Sequence, residues 1–153
     1  MRKNILALVM LCSSVVALGM ATPAQAESGK SSVGPVVFIG NGSTIFGIDS
    51  KFGVNENLSL RPFISFPSGG TVFGSSLTYD FDVARGSKVQ ITPFIGGGVS
   101  VATGGNNSVT QAYFTGGADF GINETIDLKA ALDVPLSSNN SSTNVRLGAG
   151  FRF

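Results

Sequence analysis

The sequence contains no histidine and no tryptophan, and its single cysteine, Cys12, lies in an apolar segment near the start. Without histidine, the chain lacks the side chain that most often serves as a general base, and metal sites of the His/Cys type are excluded as well. Charged residues make up only 12% of the chain, and ten basic side chains nearly balance nine acidic ones. A net charge of +1 leaves no basic patch large enough to predict nucleic-acid binding. The composition therefore predicts a protein that is not an enzyme, has no cofactor and does not bind nucleic acid.

The first 26 residues predict a secretory signal peptide. Arg2 and Lys3 supply the positive start, residues 5–20 form an apolar run, and Ala-Gln-Ala at 24–26 forms a cleavage site. A transmembrane helix is the alternative, but the run is short for one and a cleavage site follows it. Removal of this segment would leave residues 27–153 as one domain without cysteine.

Seven turn signals divide the rest of the chain into eight runs. The signals are rich in Gly, Asn, Ser and Pro, which either tolerate positive φ or hydrogen-bond to their own backbone. No run shows a helical period, and none approaches the 18 apolar residues expected of a membrane-spanning helix. We therefore predict strands at residues 33–40, 44–54, 58–66, 71–83, 88–102, 109–122, 125–136 and 143–153.

The charged side chains in seven of these runs share one face. Successive side chains of a strand point to opposite sides, so alternation along the sequence assigns the faces. In the last run, Leu147 and Phe151 share one face, whereas Arg146 and Arg152 share the other. Only the first run, 33–40, is apolar on both faces. One apolar face and one polar face are therefore predicted for nearly every strand.

Two architectures accept this pattern. A soluble sandwich or barrel would bury the apolar face, whereas a membrane barrel would turn it towards lipid. The polar face is built largely of Gly, Ser and Thr, and aromatic residues stand near strand ends on the apolar face, as in an interfacial girdle. Both features favour an all-β, eight-stranded antiparallel up-and-down transmembrane β-barrel. The girdle aromatics are Phe52, Tyr79, Phe81, Phe120 and Phe153.

With its dyad pattern, strand count and terminal Gly-Phe-Arg-Phe, the chain resembles small eight-stranded bacterial outer-membrane barrels of the OmpA/OmpX-like or porin-like type. This resemblance implies a bacterial-type outer membrane, with its lipid as the main partner, and a monomer. It also implies contact with the barrel-assembly machinery, which would read Phe151 and Phe153 as the insertion signal. The loops are short, so adhesion roles of relatives are not carried over.

The polar face predicts a charged lumen. An eight-stranded barrel has an interior only wide enough for side chains, and a buried charge without a partner is costly. We therefore expect an ion-pair network that plugs the lumen, with small residues such as Ser65, Gly74, Ser76, Gly98, Ser100 and Thr115 lining a wet vestibule beyond it. The predicted network comprises Asp49, Lys51, Arg61, Asp80, Asp82, Asp119, Asp127, Lys129, Asp133, Arg146 and Arg152.

Two details of this network are specific enough to check. Asp80 and Asp82 share a strand face, and we interpret them as partners of basic side chains in preference to a catalytic or calcium-binding pair. For the last two strands, we predict a register that sets Asp133 opposite Arg146. The same register would set Asp127 opposite Arg152.

Three functions remain open from the sequence. The leading hypothesis is an integral outer-membrane barrel with a plugged lumen and a structural or unassigned role. The second is a narrow porin-like channel for ions or small solutes, and the third is a secreted soluble barrel that binds a hydrophobic ligand.

Overall fold

A computed structural model of the chain describes residues 31–81, 89–105, 107–137 and 142–153. The predicted signal segment, 1–26, lies outside these ranges. Within them the chain forms one closed antiparallel barrel of eight strands, in which the strand order follows the chain order. The strands are β1 (Ser32–Gly40), β2 (Ser43–Gly53), β3 (Leu58–Ser65), β4 (Thr71–Asp80), β5 (Gln90–Gly104), β6 (Asn107–Gly121), β7 (Ile126–Pro135) and β8 (Asn144–Arg152).

The predicted fold class is confirmed, and each of the eight predicted strands corresponds to a strand of the barrel. The predicted end of the fourth strand at 83 and the predicted start of the fifth at 88 lie outside the described residues. The barrel closes because Ser32 of β1 pairs with Lys51 of β2 on one side and with Arg152 of β8 on the other. Closure leaves no strand edge with unpaired backbone groups, which a lipid environment would not tolerate. Across the described ranges, no helix is long and apolar enough to span a membrane.

The two ends of the barrel differ in their connections. We call the end where β1 begins and β8 finishes the base, and its connections are 54–57, 81–89 and 122–125. We call the opposite end the mouth, and its connections are 41–42, 66–70, 105–106 and 136–143. None of the mouth connections contains a charged residue in the sequence.

Local chemistry explains several turns. Asn41 and Gly42 have φ values of 49° and 71°, which fit the two central residues of a type I′ hairpin turn. At the base, the Asn55 side chain accepts hydrogen bonds from the backbone N–H groups of Asn57 and Leu58. Asn123 does the same for the N–H groups of the second and third residues that follow it. The base therefore uses one Asx-turn design at two hairpins.

The apolar side chains lie on the outside of the barrel and the charged ones on the inside. Phe46, Ile95 and Phe114 are more than half exposed, whereas Arg61 and Asp119 are 4% and 2% exposed. This distribution is the reverse of that in a soluble barrel and is typical of a barrel that faces lipid. The third hypothesis, a soluble barrel with an apolar interior, does not fit this arrangement.

The predicted register of the last two strands is wrong by two residues. Asp133 lies opposite Asn144, and Asp127 lies opposite Gly150, so neither aspartate lies directly across from an arginine. A shift of two residues keeps every side chain on its face, so the alternation pattern cannot distinguish the two registers. In the observed register, Arg146 and Arg152 still lie near their predicted partners, Asp133 and Asp127, but diagonally across the strand pair.

Candidate functional site

Four charged side chains from four strands meet in the lumen and form the central cluster: Lys51, Arg61, Asp80 and Asp119. The Lys51 Nζ lies 2.7 Å from a carboxylate oxygen of Asp80 and 2.9 Å from one of Asp119. The Arg61 guanidinium lies 3.1 Å from Asp80 and 2.8 Å from Asp119, and it contacts both carboxylate oxygens of the latter. Each cation therefore bridges both anions across the barrel, and the cluster is neutral as a whole.

Neutral side chains complete the hydrogen bonding of this cluster. The Arg61 Nε donates to the hydroxyl of Thr78 at 2.9 Å, and that hydroxyl in turn lies 3.1 Å from Asp80. Ser59 donates to the other oxygen of Asp80 at 2.7 Å. The guanidinium also lies over the ring of Phe94, 3.7 Å from its centroid. Such charge-assisted and cation–π contacts hold a buried arginine in one position.

Three further ion pairs occupy the lumen. Lys129 donates to Asp49 at 2.9 Å, and Arg146 donates to Asp133 at 2.9 Å. Arg152 and Asp127 are less closely paired, at 3.8 Å. In the described part of the chain, five cations and five anions of the predicted network therefore face one another inside the barrel. The eleventh predicted member, Asp82, lies outside the described residues.

An aromatic layer, which the sequence analysis did not predict, lies on the mouth side of the central cluster. The rings of Phe38 and Phe63 are 5.1 Å apart, and Tyr113 lies 6.4 Å from Phe63. The guanidinium of Arg146 lies 5.8 Å from the Phe38 ring and 5.5 Å from the Phe63 ring. One sequence signal did point here, because Phe38 belongs to the only strand that is apolar on both faces.

Glycines on the inner face make room for these rings. A methyl group added to Gly74 would lie 2.7 Å from the Phe63 ring, and one added to Gly98 would lie 2.7 Å from the Tyr113 hydroxyl. Gly74 therefore leaves room for the Phe63 ring, whereas Gly98 leaves room both for the Tyr113 hydroxyl and for the neighbouring backbone of Ser75.

A cavity of about 200 Å³ lies on the mouth side of the aromatic layer. Of the small residues predicted to line a vestibule, Ser65 and Ser100 line this cavity, whereas Gly74, Ser76, Gly98 and Thr115 do not. The wall combines aromatic, aliphatic and hydrogen-bonding side chains. Its lining residues are Phe38, Ile45, Phe63, Ser65, Val72, Ser100, Ala102, Val109, Gln111, Tyr113, Asp133, Pro135, Ser142 and Asn144.

The residues predicted as an insertion signal lie on the outer face at the base. Phe151 and Phe153 are 60% and 63% exposed, and the Phe153 ring meets that of Phe52 edge-on at 6.4 Å. Their role in insertion stays a prediction. Over the residues that the structure describes, no group of three or more His, Cys, Asp or Glu side chains could hold a metal ion.

Solved structures share this fold at low sequence identity. A designed transmembrane β-barrel superposes with a TM-score of 0.67 at 16% identity, covering 83% of this chain and 98% of the design. The designed barrel TMB2.3, solved by NMR, gives a TM-score of 0.62 at 14% identity, with 84% and 98% covered. The amino-terminal β-barrel domain of Pseudomonas aeruginosa OprF gives 0.60 at 18% identity, with 83% and 100% covered. No protein-family model and no curated protein matches the sequence.

Proposed function

We propose that this chain, which has the fold of the small eight-stranded transmembrane β-barrels, is an integral outer-membrane protein with a closed lumen and no catalytic activity. Its role on this proposal is structural: it places a stable barrel in the outer membrane without opening a route through it. The observation that carries the proposal is the central cluster, in which Lys51 and Arg61 bridge Asp80 and Asp119 across the lumen.

The closure of the lumen rests on two successive obstacles. The central cluster ties together side chains from β2, β3, β4 and β6, and it lies beneath an aromatic layer with contributions from β1, β3 and β6. An ion crossing the lumen would have to displace buried ion pairs, and a buried charge that loses its partner costs several kcal/mol. Water-filled conduction would therefore require a rearrangement of the whole cluster.

The absence of catalysis rests on the way in which the carboxylates are used. Asp80 accepts from Ser59 and Thr78 and also contacts both cations, and Asp119 is engaged by the same two cations. A general base needs a carboxylate within hydrogen-bond reach of a substrate. Both oxygens of each of these two carboxylates already have partners within the central cluster. We therefore assign them to the closure of the lumen and not to catalysis.

Placement in the outer membrane rests on the exposed apolar belt. Phe46, Leu77, Ile95, Phe114 and Leu147 are between 44% and 69% exposed and come from five strands around the barrel. A soluble monomer rarely exposes so extensive an apolar surface. On the proposed orientation, the base faces the periplasm and the mouth faces outward, with lipid as the principal partner.

Fractionation of cells tests this placement. The protein should sediment with outer membranes and resist extraction by salt, because its contacts with the membrane are apolar. After extraction in mild detergent, the folded barrel should migrate faster on a gel than the boiled sample. Recovery as a freely soluble monomer without detergent would refute the proposal.

A further inference from the structure

We propose that the β1–β2 hairpin is a movable panel of the barrel wall, which parts transiently from β3 and β8 and opens the base half of the lumen sideways. This inference goes beyond the proposed structural role, because it assigns a motion to a wall that is closed at rest. Two observations carry it. The strand ladders on both sides of the hairpin are interrupted at prolines, and buried ion pairs hold the hairpin to the rest of the barrel.

Only two of the eight strand ladders in the described barrel have a gap, and they flank this hairpin. Gly34 and Pro35 of β1 are not paired with β8. Ser50 and Lys51 of β2 are not paired with β3. The ladder inside the hairpin and the five others run without a gap. We call the two interrupted ladders the seams, and the hairpin is joined to its neighbours only through them.

A proline accounts for the gap between β1 and β8. The N–H of Phe153 donates to the carbonyl of Ser31 across this seam, and alternate residues of an antiparallel strand bond to the same neighbour. Pro35 therefore faces β8 as well. Proline has no N–H group, so Pro35 gives no ladder bond to the carbonyl of Ala149, which this register places opposite it. A backbone carbonyl without a donor is costly in a wall that faces lipid, so the gap weakens this seam.

A second proline accounts for the gap between β2 and β3. The N–H of Phe66 donates to the carbonyl of Phe46 across this seam. By the same alternation, Pro62 faces β2, at the position that the register places opposite Ser50. The carbonyl of Ser50 therefore receives no ladder bond from β3. Both seams have lost a backbone hydrogen bond for the same reason.

The other two prolines in the strands interrupt no ladder. The carbonyl of Pro93 accepts from Phe81, so this proline faces β4, but β4 ends at Asp80. Pro135 is the last residue of β7, beyond the point where the β7–β8 ladder ends at Asp133. Proline is rare in the interior of a sheet because it removes a ladder bond. Two interior prolines, one on each side of a single hairpin, mark that hairpin as a separate unit of the wall.

Ion pairs inside the lumen hold the hairpin across both seams. Lys51 of β2 bridges Asp80 of β4 and Asp119 of β6, at 2.7 Å and 2.9 Å. Asp49 of β2 contacts Lys129 of β7 at 2.9 Å. All three partners lie outside the hairpin, so these pairs keep the panel closed. Parting of the hairpin would withdraw Lys51 from the central cluster.

The wall beside the first gap is thin. Gly34 and Gly150 are buried on its inner face, and Pro35 and Ala149 lie on its outer face. Separation of β1 from β8 at this level therefore displaces no bulky side chain. A methyl group added to Gly150 would collide with the carboxylate of Asp127, so the gap lies directly beside the charged lumen. An open panel would connect the base half of the lumen with lipid, and not the base with the mouth.

Amide hydrogen exchange, followed by NMR in phospholipid nanodiscs, tests the motion in the wild-type protein. The N–H groups of Val37 and Ile48 face the two seams, whereas those of their neighbours Phe38 and Gly47 face each other's strand within the hairpin. We expect the two seam amides to exchange at least about tenfold faster than the two hairpin amides, because only the seams open. Equal protection of neighbouring amides would overturn the inference.

Replacement of one proline tests whether the seams part together. Pro62→Ala restores a donor opposite the carbonyl of Ser50 and should slow exchange at Ile48 about 2–10-fold, the effect of one hydrogen bond. If the hairpin moves as one panel, exchange at Val37 on the opposite seam slows as well. Slowing limited to Ile48 would show local fraying and overturn the panel. Pro93→Ala is the control, and it should change neither seam amide.

Replacement of an aspartate tests the ion pairs that keep the panel closed. Asp49→Asn weakens the pair with Lys129 and should speed exchange of both seam amides about tenfold or more relative to Phe38. Asp133→Asn weakens an equally short pair, with Arg146, that joins β7 to β8 and does not involve the hairpin. It should leave the ratio of seam to hairpin exchange unchanged. Equal effects of the two variants on this ratio would overturn the role of the ion pairs.

The exchange pattern decides this inference separately from the proposed function. Neighbouring amides are compared within one refolded barrel, which is first shown to be folded by its heat-modifiable migration. Equal protection in a barrel that fractionates with outer membranes would mean that the wall is rigid, and the inference would fail while the proposed function stands. Fast, coupled exchange at the seams of a protein recovered from the soluble fraction would support the panel and refute the placement in the membrane.

Discussion

Arg146 and Asp133 form an ion pair of 2.9 Å inside the barrel, although neither residue lies opposite the other in the β7–β8 ladder. Arg146 lies opposite Ala131, and Asp133 lies opposite Asn144. Diagonal neighbours on one sheet face are about 7–8 Å apart at Cα, which is within reach of a long side chain. The guanidinium therefore spans the offset, and the small side chain of Ala131 leaves it room.

A double-mutant cycle should detect this diagonal pair. Asp133→Ala leaves the buried guanidinium of Arg146 without its carboxylate, and Arg146→Ala leaves the buried carboxylate of Asp133 without its guanidinium. Each change should therefore reduce the free energy of unfolding by about 3–5 kcal/mol. The double mutant should lose clearly less than the sum of the two single changes. Urea unfolding in lipid vesicles measures all three variants.

The pair formed by Asp127 and Arg152 serves as a comparison for this cycle. Its closest approach is 3.8 Å, and Arg152 lies at the base, where its side chain is more exposed than that of Arg146. The coupling energy of this second pair should therefore be smaller than that of the first. Equal coupling energies in both cycles, or no coupling in the first, would contradict our expectation that the shorter and more buried ion pair is the stronger one.

A charged residue placed on the outer face should destabilise the barrel more at mid-membrane depth than near the interface. Leu77 lies within β4 and is 51% exposed, whereas Leu136 lies beyond the end of β7 at the mouth and is 56% exposed. Leu77→Arg should destabilise the barrel by about 2–4 kcal/mol, because it places a cation near mid-membrane. Leu136→Arg makes the same change near the interface and should cost about 1 kcal/mol or less.

Unfolding in vesicles compares these two variants directly. An arginine on the inner face, as in Thr78→Arg, could not replace Leu136→Arg as the control. Thr78 is 1% exposed and hydrogen-bonded within the central cluster, so this change would disrupt the cluster itself. If Leu77→Arg were as stable as the wild type, the outer face would not face hydrocarbon.

Replacing glycines of the run Gly96-Gly97-Gly98 in β5 by alanine should change the stability of the barrel by an amount that depends on the position. A methyl group on Gly98 would collide with the Ser75 carbonyl oxygen and lie 2.7 Å from the Tyr113 hydroxyl, so Gly98→Ala should destabilise by about 1–3 kcal/mol. Gly97→Ala is the matched control. Its methyl group would come no closer than 3.6 Å to its nearest neighbour, the Tyr113 carbonyl oxygen.

The control should be neutral or mildly stabilising, because alanine restricts the unfolded chain more than glycine does. Thermal unfolding of the two variants in the same detergent gives the comparison. Equal destabilisation at both positions would contradict this account, in which only the methyl group at Gly98 meets crowded neighbours.

The strands and their faces could be predicted from sequence because both depend on local patterns. Turn residues mark the ends of strands, and alternation with a period of two fixes which side chains share a face. This is why the inward positions of Lys51 and Asp119 follow from sequence, although the residues are 68 apart in the chain. Their direct contact follows only once the barrel is closed.

Register and packing could not be predicted by the same reasoning. A shift of two residues preserves every face, so nothing in the alternation favours Asp133 opposite Asn144 over Asp133 opposite Arg146. The aromatic layer was missed for a related reason. Phe63 and Tyr113 occupy inner-face positions among small and charged residues, and only the closed barrel brings them together near Gly74 and Gly98.

Conductance in planar lipid bilayers tests the central claim, the closed lumen, most directly. The wild-type protein should pass no steady current, because the central cluster and the aromatic layer fill the interior. Arg61→Ala combined with Asp119→Ala removes one cation and one anion of the central cluster, so it keeps the net charge of the lumen unchanged, and this variant should show more frequent openings. Large, stable, water-filled conductance of the wild type would contradict the closed lumen and favour the narrow channel.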